Sequence, residues 1–138
     1  MTASTTARNT IERIGRERVF KMATATVINQ GTMVMLDAAG LAKPAATGDA
    51  ARPVVGMATA FPNNPFPAAG EGQTKVKVQK GVFKFNNAAG ADAVTFAHVE
   101  GKAYVMDDNT VAGVAGANRP VAGIVDDIDE DGGIWVRF

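Results

Sequence analysis

The residues best suited to bind an ion lie in an acidic turn near the end of the chain. Four of them match the start of a calcium-binding loop: Asp127, Asp129, Asp131 and Gly132. In such a loop alternate carboxylates converge on a hard cation, and a glycine permits the turn. The closing carboxylate would fall at position 138, which is Phe138, and the flanking residues indicate strands. The other interpretation is an acidic hairpin turn that holds no metal and is kept soluble by its charge.

The chain has few side chains suited to catalysis. It contains no cysteine, which excludes disulfides, thiolate metal sites and thiol nucleophiles. Its one histidine, His98, has no partner histidine for a metal, and its one serine, Ser4, lies among small polar residues. No glycine-rich loop followed by Lys-Ser or Lys-Thr is present to hold a phosphate. We therefore expect a protein that is not an enzyme and needs no cofactor.

The length and net charge of the chain narrow the classes of protein to which it can belong. The 138 residues are enough for one domain with a real core, and 14 basic residues balance 14 acidic ones. A net charge of zero argues against nucleic-acid binding by bulk electrostatic attraction. No apolar run approaches the length of a membrane span. We expect neither nucleic acid nor membrane as a partner.

The first 18 residues differ in composition from the rest. They begin small and polar and continue with arginines interleaved with isoleucines, which predicts a flexible N-terminal arm over residues 1–18. The arm residues expected to bind a partner are Arg8, Ile11, Arg13, Ile14, Arg16 and Arg18. Residues 19–138 are expected to form a single β domain.

The pattern from Val19 onward predicts a mainly β fold, a compact barrel or sandwich with little helix. Residues 19–28 are rich in β-branched side chains and predict one strand. The proline-rich stretch 61–67 predicts an extended surface loop. Large apolar residues shift from even to odd positions around Lys80-Gly81, which predicts a bulge or a strand break there.

Two segments of the chain are repeated. Gly31–Asp37 matches Gly101–Asp107 at an offset of 70, and Arg52–Met57 matches Arg119–Ile124 at an offset of 67. Each unit contains a strand, an acidic turn, a small-residue connection and an Arg-Pro-Val sequence that opens another strand. Two units predict one pseudo-symmetric barrel or sandwich, because a solenoid needs at least three. Arg52 and Arg119 are expected to anchor the connections.

Four lysines suggest a basic stripe: Lys75, Lys77, Lys80 and Lys84. One interpretation is the solvated face of a strand. The other is a subunit interface, because residues 107–138 hold seven acidic and two basic residues and would suit head-to-tail contacts between copies.

Five segments resemble a family of small virion proteins: Asn9–Arg13, Gly31–Asp37, Val78–Phe85, Tyr104–Ala112 and Val121–Val136. The family occurs in tailed phages with Mu-like head modules and serves as capsid decoration, or cement, protein. More distantly the chain resembles the lambda-type head decoration proteins. The likeness runs from about Asn9 to Phe138 and consists of strand and turn patterns.

This resemblance implies a compact β fold, trimers at local threefold positions and an N-terminal arm that becomes ordered on the shell. It implies the major capsid protein and further copies of the chain as partners. The protein would be made in the host cytoplasm and act on the capsid exterior of the virion, stabilising the head against packaged DNA. The alternatives are a tail or baseplate structural module and a small calcium-dependent binding module.

Overall fold

A computed structural model describes residues 4–7, 9–13, 15–60, 62–64 and 74–138. Over these residues the fold is mainly β, as expected, with two short 3-10 helices, Gly90–Asp92 and Phe96–His98. None of the helices in the described ranges has the length and apolar character needed to cross a membrane. The strands are β1 (Glu17–Lys21), β2 (Thr26–Val27), β3 (Met33–Leu36), β4 (Ala42–Pro44), β5 (Val54–Ala58), β6 (Asn63–Asn64), β7 (Lys75–Gln79), β8 (Val82–Asn87), β9 (Lys102–Val105), β10 (Thr110–Ala112), β11 (Val121–Ile128) and β12 (Ile134–Arg137).

Ten of these strands form two five-stranded sheets. The first sheet has the order β1-β7-β5-β3-β4, and the second closes into a barrel in the order β10-β8-β12-β11-β9. The pairings are antiparallel except for the parallel pair β8–β10, which closes the barrel. The remaining strands, β2 and β6, pair with each other. The predicted β barrel is therefore confirmed, and an open sheet accompanies it.

The two sheets are two copies of one arrangement. Strands β1, β3, β4, β5 and β7 hold the same places in the first sheet as β8, β9, β10, β11 and β12 hold in the second. The register is repeated as well: Ala58 lies opposite Val78 in the first sheet, and Val125 lies opposite Val136 in the second. The predicted repeat thus extends over the ten strands of the two sheets, and each unit forms its own sheet rather than half of one barrel.

The ends of the two units are closed by equivalent hydrogen bonds. The backbone N–H of Lys80 donates to the carbonyl of Arg16, and the N–H of Phe138 donates to the carbonyl of Gly81. We call residues 16–80 the first repeat and residues 81–138 the second repeat. The first repeat ends where the second begins, without a linker between them.

Closure of the sheet is complete in only one repeat. In the second repeat Asn87 pairs with Val111 in parallel, as part of the β8–β10 contact. In the first repeat the same place holds a single parallel bridge between Met22 and Ala42. The first sheet therefore has the strand arrangement of the barrel but is not closed between β1 and β4.

The structure corrects the alignment of the first repeated segment by one residue. Gly31 has a positive φ of 82° and its N–H donates to the carbonyl of Ala58. The residue with the matching conformation and bond is Glu100, with a φ of 66° and its N–H donating to Val125. The expected match of Gly31 with Gly101 is therefore wrong by one position, because glycine identity does not follow the backbone there.

The second repeated segment, Arg52–Met57 with Arg119–Ile124, is aligned as expected. The glycine that both copies contain, Gly56 and Gly123, has the same structural role in each. A Cβ added to Gly56 would lie 3.0 Å from the carbonyl oxygen of Gln79. A Cβ added to Gly123 would lie 2.5 Å from the carbonyl oxygen of Arg137. In both repeats the neighbouring strand therefore passes directly over this position, and glycine is needed for that close approach.

Two local predictions have different outcomes. The single strand expected over residues 19–28 is wrong: β1 ends at Lys21, and Ala25 takes a positive φ of 48° before β2 begins. The break expected at Lys80-Gly81 is confirmed, because β7 and β8 lie on either side of it in different sheets. The shift from even to odd apolar positions marks the boundary between the repeats.

Each repeat has its own buried core, and β3 contributes to both. The first core consists of Met22, Ile28, Val34, Ala42, Ala58, Val76 and Val78. The second consists of Phe85, Val94, Ala103, Val105, Val111, Ala122, Val125, Ile134 and Val136, joined by Met33, Met35 and Ala45 of the first repeat. Because successive side chains of a strand point to opposite faces, Val34 faces one core while Met33 and Met35 face the other.

The close approach at Gly123 predicts a loss of stability on substitution. Gly123→Ala should lower the free energy of unfolding by about 2 kcal/mol, since the new methyl group forces β11 and β12 apart. Urea unfolding followed by circular dichroism measures this change. Gly15→Ala is the control, because a Cβ there meets no atom within 4 Å. Equal unfolding midpoints for the two variants would show that the strands do not approach as described.

Candidate interaction surfaces

The described residues ahead of β1 have no regular structure. Among residues 4–7, 9–13 and 15 there is no helix or strand, and their side chains are exposed. Ile11 is 93% exposed, the largest exposure among the large hydrophobic side chains of the described residues. We call these residues the leading segment. A large apolar side chain held in water is a free-energy cost that contact with a partner removes.

The predicted arm residues fall into three groups. Ile11 and Arg13 lie in the leading segment and are exposed, and Arg8 and Ile14 lie outside the described residues. Arg16 and Arg18 are exposed but already engaged by the body: the Arg16 carbonyl accepts the Lys80 N–H at 2.7 Å, and the guanidinium carbon of Arg18 lies 5.1 Å from the centre of the Phe20 ring.

The expected arm boundary is therefore two residues too late. Strand β1 begins at Glu17, and its pairing with β7 starts at Glu17 opposite Gln79. Composition alone placed the boundary after Arg18, because the arginines suggested solvent. On an edge strand with exposed side chains, charged residues are equally suitable.

The acidic turn is a hairpin between β11 and β12. The N–H of Asp129 donates to the carbonyl of Gly133 at 2.8 Å, and the N–H of Gly132 donates to Asp129 at 2.9 Å. Gly132 has a φ of 87°, which explains the glycine at this place in the turn. Of the two interpretations of the acidic motif, the hairpin is the one that the structure adopts.

A lysine from the neighbouring strand holds the acidic hairpin. The Lys84 ammonium lies 2.5 Å from Asp129 Oδ2 and 2.5 Å from Asp131 Oδ2. Its aliphatic stem passes over Gly133, where an added Cβ would lie 2.3 Å from Lys84 Cε. The stem fits against the hairpin only because position 133 has no side chain. We call Lys84, Asp129 and Asp131 the lysine clamp.

The lysine clamp favours the charged forms of Lys84 and Asp131. Hydrogen bonds to Asp129 and Asp131 raise the pKa of the Lys84 ammonium above its ordinary value. The hydrogen bond from Lys84, assisted by the backbone N–H of Gly133, lowers the pKa of the Asp131 carboxyl. The Lys84 and Asp131 side chains are in contact with solvent, so salt screens the attraction between their charges.

The three aspartates proposed as calcium ligands do not converge on one point. Two of them receive the Lys84 ammonium, and Asp127 Oδ1 accepts the backbone N–H of Ile128. In the part of the chain that the structure describes, no group of three or more histidine, cysteine or acidic side chains is placed to hold a metal ion. The positive charge at this turn is supplied by the protein itself.

The predicted basic stripe is wrong as a single surface. Lys75 and Lys77 lie on β7 of the first sheet, Lys84 lies on β8 of the barrel, and Lys80 lies in the break between them. Lys77 also binds Glu17 of β1, with 2.8 Å between Nζ and Oε2. Two of the four proposed interface lysines are thus paired within the chain.

The two repeated arginines anchor their connections, as expected, through different contacts. Arg52 donates to Asp49 Oδ2 at 2.8 Å and to the carbonyl of Asp37 at 3.1 Å. Arg119 donates to Asp92 Oδ1 at 2.9 Å and to the carbonyl of Val114 at 3.2 Å. The hydrogen bond from Arg119 lowers the pKa of Asp92.

Sequence reasoning gave no role to His98 or Phe96. The Nδ1 atom of His98 accepts the Thr95 N–H at 2.9 Å, and its ring lies against Gly113, where a Cβ would be 2.7 Å away. His98 therefore caps a turn and fills space. Phe96, in the same turn, is 73% exposed, and no pattern in the sequence distinguishes it from a core aromatic.

A shallow cleft adjoins the lysine clamp. It has a volume of about 480 Å³ and is lined by Lys84, Phe85, Asn86, Asn87, Asp131, Gly132 and Gly133. The side chain of Asn87 is already committed, because it donates to and accepts from the backbone of Val94. The polar groups facing this cleft therefore largely serve the fold.

Comparisons with protein-family models, with curated proteins and with solved structures found no match to this chain.

The lysine clamp predicts a pH window for stability. Lys84→Met should lower the thermal midpoint most at neutral pH. The contribution of Asp131 is present above the ordinary aspartate pKa of about 3.9 and is lost as the pH falls through its lowered folded-state value. The contribution of Lys84 is present below about pH 10.4 and is lost as the pH rises through its raised value.

Thermal scans from pH 2 to 11 measure this difference between variant and wild type. Lys75→Met is the control, since it removes one positive charge from the first sheet without touching the hairpin. A difference for Lys84→Met that persists undiminished at pH 2 would contradict an ionic clamp.

The same clamp predicts that calcium does not bind at the hairpin. Titration of the protein with calcium should release no saturable heat and should not raise the thermal midpoint, since Lys84 already occupies the carboxylates. A saturable heat that disappears in Asp129→Asn would instead establish the calcium site.

Proposed function

We propose that this protein is a capsid decoration protein of a tailed phage, which binds the outside of the major capsid shell as a trimer. In this proposal it acts by binding and not by catalysis. Its place is the capsid exterior of the virion after assembly in the host cytoplasm. There it stabilises the head against the pressure of packaged DNA.

The observation that carries the proposal is the exposed leading segment attached to a tightly packed body. The segment presents Ile11 almost fully to solvent, beside the exposed Arg13. Such a segment loses conformational entropy when it becomes ordered, so it gains stability only on a surface that buries its apolar side chains. A capsid shell is a surface of this kind.

The energy available from one copy is modest. Full burial of an isoleucine side chain contributes about 1.5–3 kcal/mol, and part of this is offset by the ordering of the backbone. Three copies joined in one trimer bind with an effective concentration that multiplies weak single contacts. This arithmetic favours a trimer over a monomer for the proposed role.

The rest of the chain is suited to a rigid support. β3 is buried between two cores, and the lysine clamp holds the turn between β11 and β12 against β8. A body of this kind keeps its shape while the leading segment binds. A stabilising protein on a shell under pressure requires this division between a rigid part and an adaptable part.

Deletion of residues 2–15 tests the proposal. The truncation keeps Arg16, whose carbonyl accepts the Lys80 N–H, so the truncated protein should fold with an unchanged spectrum and thermal midpoint. It should no longer cosediment with expanded heads that lack the protein. Undiminished decoration by the folded truncated protein would refute the role of the segment.

A matched pair of substitutions isolates the apolar contact. Ile11→Asp should weaken binding to heads by about tenfold or more, since it removes the buried methyl groups and adds a charge. Thr10→Asp adds the same charge one residue earlier and should have a smaller effect. Cryo-microscopy of the virion then locates the protein, and density on the tail or baseplate instead of the head would overturn the proposed function.

A further inference from the structure

One outer face of the first repeat is covered by the second repeat. Met33 and Met35 of β3 are fully buried, and they belong to the core of the second repeat. Val54 and Met57 of the adjacent strand β5 pack against the same core. The face formed by β3 and β5 is therefore an interface between the repeats.

The register identifies the same face on the second repeat. Met33 lies opposite Met57 and Met35 lies opposite Val54 in the first sheet. The equivalent pairs in the barrel are Lys102 opposite Ile124 and Tyr104 opposite Val121. These four residues of β9 and β11 occupy the places that the interface residues hold in the first repeat.

The equivalent face does not pack against either core of the described residues. Tyr104, Val121 and Ile124 are half-buried and are not part of either core or of the residues packed against it. At the neighbouring position Ala45 is 3% exposed in the first repeat, whereas Val114, its counterpart by the same numbering offset, is 38% exposed. The two faces thus differ on the β9 side, where Lys102 is exposed and Tyr104 half-buried in place of the fully buried Met33 and Met35, while Val121 and Ile124 are half-buried as Val54 and Met57 are.

The charges of the repeats indicate what covers this face of β9 and β11. Residues 16–80, the first repeat, contain eight basic and four acidic residues, a formal charge of +4. Residues 81–138 contain four basic and nine acidic residues, a formal charge of −5. The second repeat of one copy is therefore attracted to the first repeat of another, while two second repeats repel each other.

We propose that this face of β9 and β11, centred on Tyr104, Val121 and Ile124, binds the first repeat of a second copy of this chain. The contact is heterologous, because different surfaces of the two copies meet. Repeated around a threefold axis it closes a ring in which positive and negative repeats alternate. This inference rests on the homo-oligomer in the proposed function and does not depend on the capsid.

The replacement Ile124→Arg tests the surface. Within its own repeat the new cation lies between Lys102 and Arg137, which stand opposite Ile124 on the two neighbouring strands, and at the contact it also faces the positive repeat of the next copy. The dissociation constant of the oligomer should rise by at least about 30-fold, the effect of losing a central interface residue. Phe96→Arg is the matched control, since it places the same charge at an exposed aromatic residue of the same repeat.

Sedimentation velocity over a range of concentrations measures the change, with circular dichroism to establish that both variants are folded. A folded Ile124→Arg variant that keeps the wild-type mass at every concentration would overturn the proposal. A wild-type protein that remains a monomer at micromolar concentration would overturn it as well.

The absence of cysteine from the chain offers a second measurement that needs no disruptive change. A single thiol introduced as Ile124→Cys should react slowly with a maleimide in the oligomer and faster on dilution. A thiol introduced as Phe96→Cys should react at one rate throughout. Equal behaviour of the two thiols would overturn the proposal.

Head binding separates this inference from the proposed function. If Ile124→Arg is monomeric and the wild-type oligomer never binds heads, the surface assignment holds and the decoration role fails. If the wild-type protein decorates heads while Ile124→Arg keeps its oligomer, the decoration role holds and the surface assignment fails.

Discussion

The arrangement of the whole body depends on the burial of β3 from both sides. Val34 lies in the core of the first repeat, while Met33 and Met35 lie in the core of the second. A strand buried on both faces carries a continuous apolar sequence, and Met-Val-Met supplies it. Because these three consecutive residues serve two cores, the repeats share hydrophobic stabilisation and are not independent modules.

Charge is distributed in this protein on two scales. Locally, acidic side chains form ion pairs with cations of the same chain. Lys84 pairs with Asp129 and Asp131, and Arg137 pairs with Glu100 and Asp126. Globally, the first repeat has a formal charge of +4 and the second of −5, and the residues before Arg16 supply the remaining +1. A net charge of zero therefore conceals a strongly polar molecule, and the proposed contact between copies would use that polarity.

Several parts of the fold were predictable because they rest on local rules. Alternation of apolar residues predicted strands, and its change of parity near Lys80-Gly81 located the boundary between the sheets. The repeat was visible because Gly56 and Gly123 are both required by a close backbone approach. Its extent was not, because Gly31 corresponds in conformation to Glu100, and a residue type alone does not report φ.

Long-range pairing was the part that the sequence did not specify. Lys84 lies nine residues from Lys75 along the chain, yet it belongs to another sheet and is bound to the hairpin of residues 129–133. The acidic motif alone was compatible with a metal loop because the compensating cation lies 45 residues away. Surface assignments from charge runs fail in this way whenever the partner is distant in sequence.

The pairing of β1 with β7 has a mechanical consequence. The two strands run side by side from Glu17 opposite Gln79 to Lys21 opposite Lys75, and the next residue after Arg16 enters this ladder directly. A pull on the chain end along the strand direction loads these hydrogen bonds in parallel, so they resist together instead of opening one at a time. Tension applied to the leading segment would therefore be carried into the first sheet as a shear force on the β1–β7 pair.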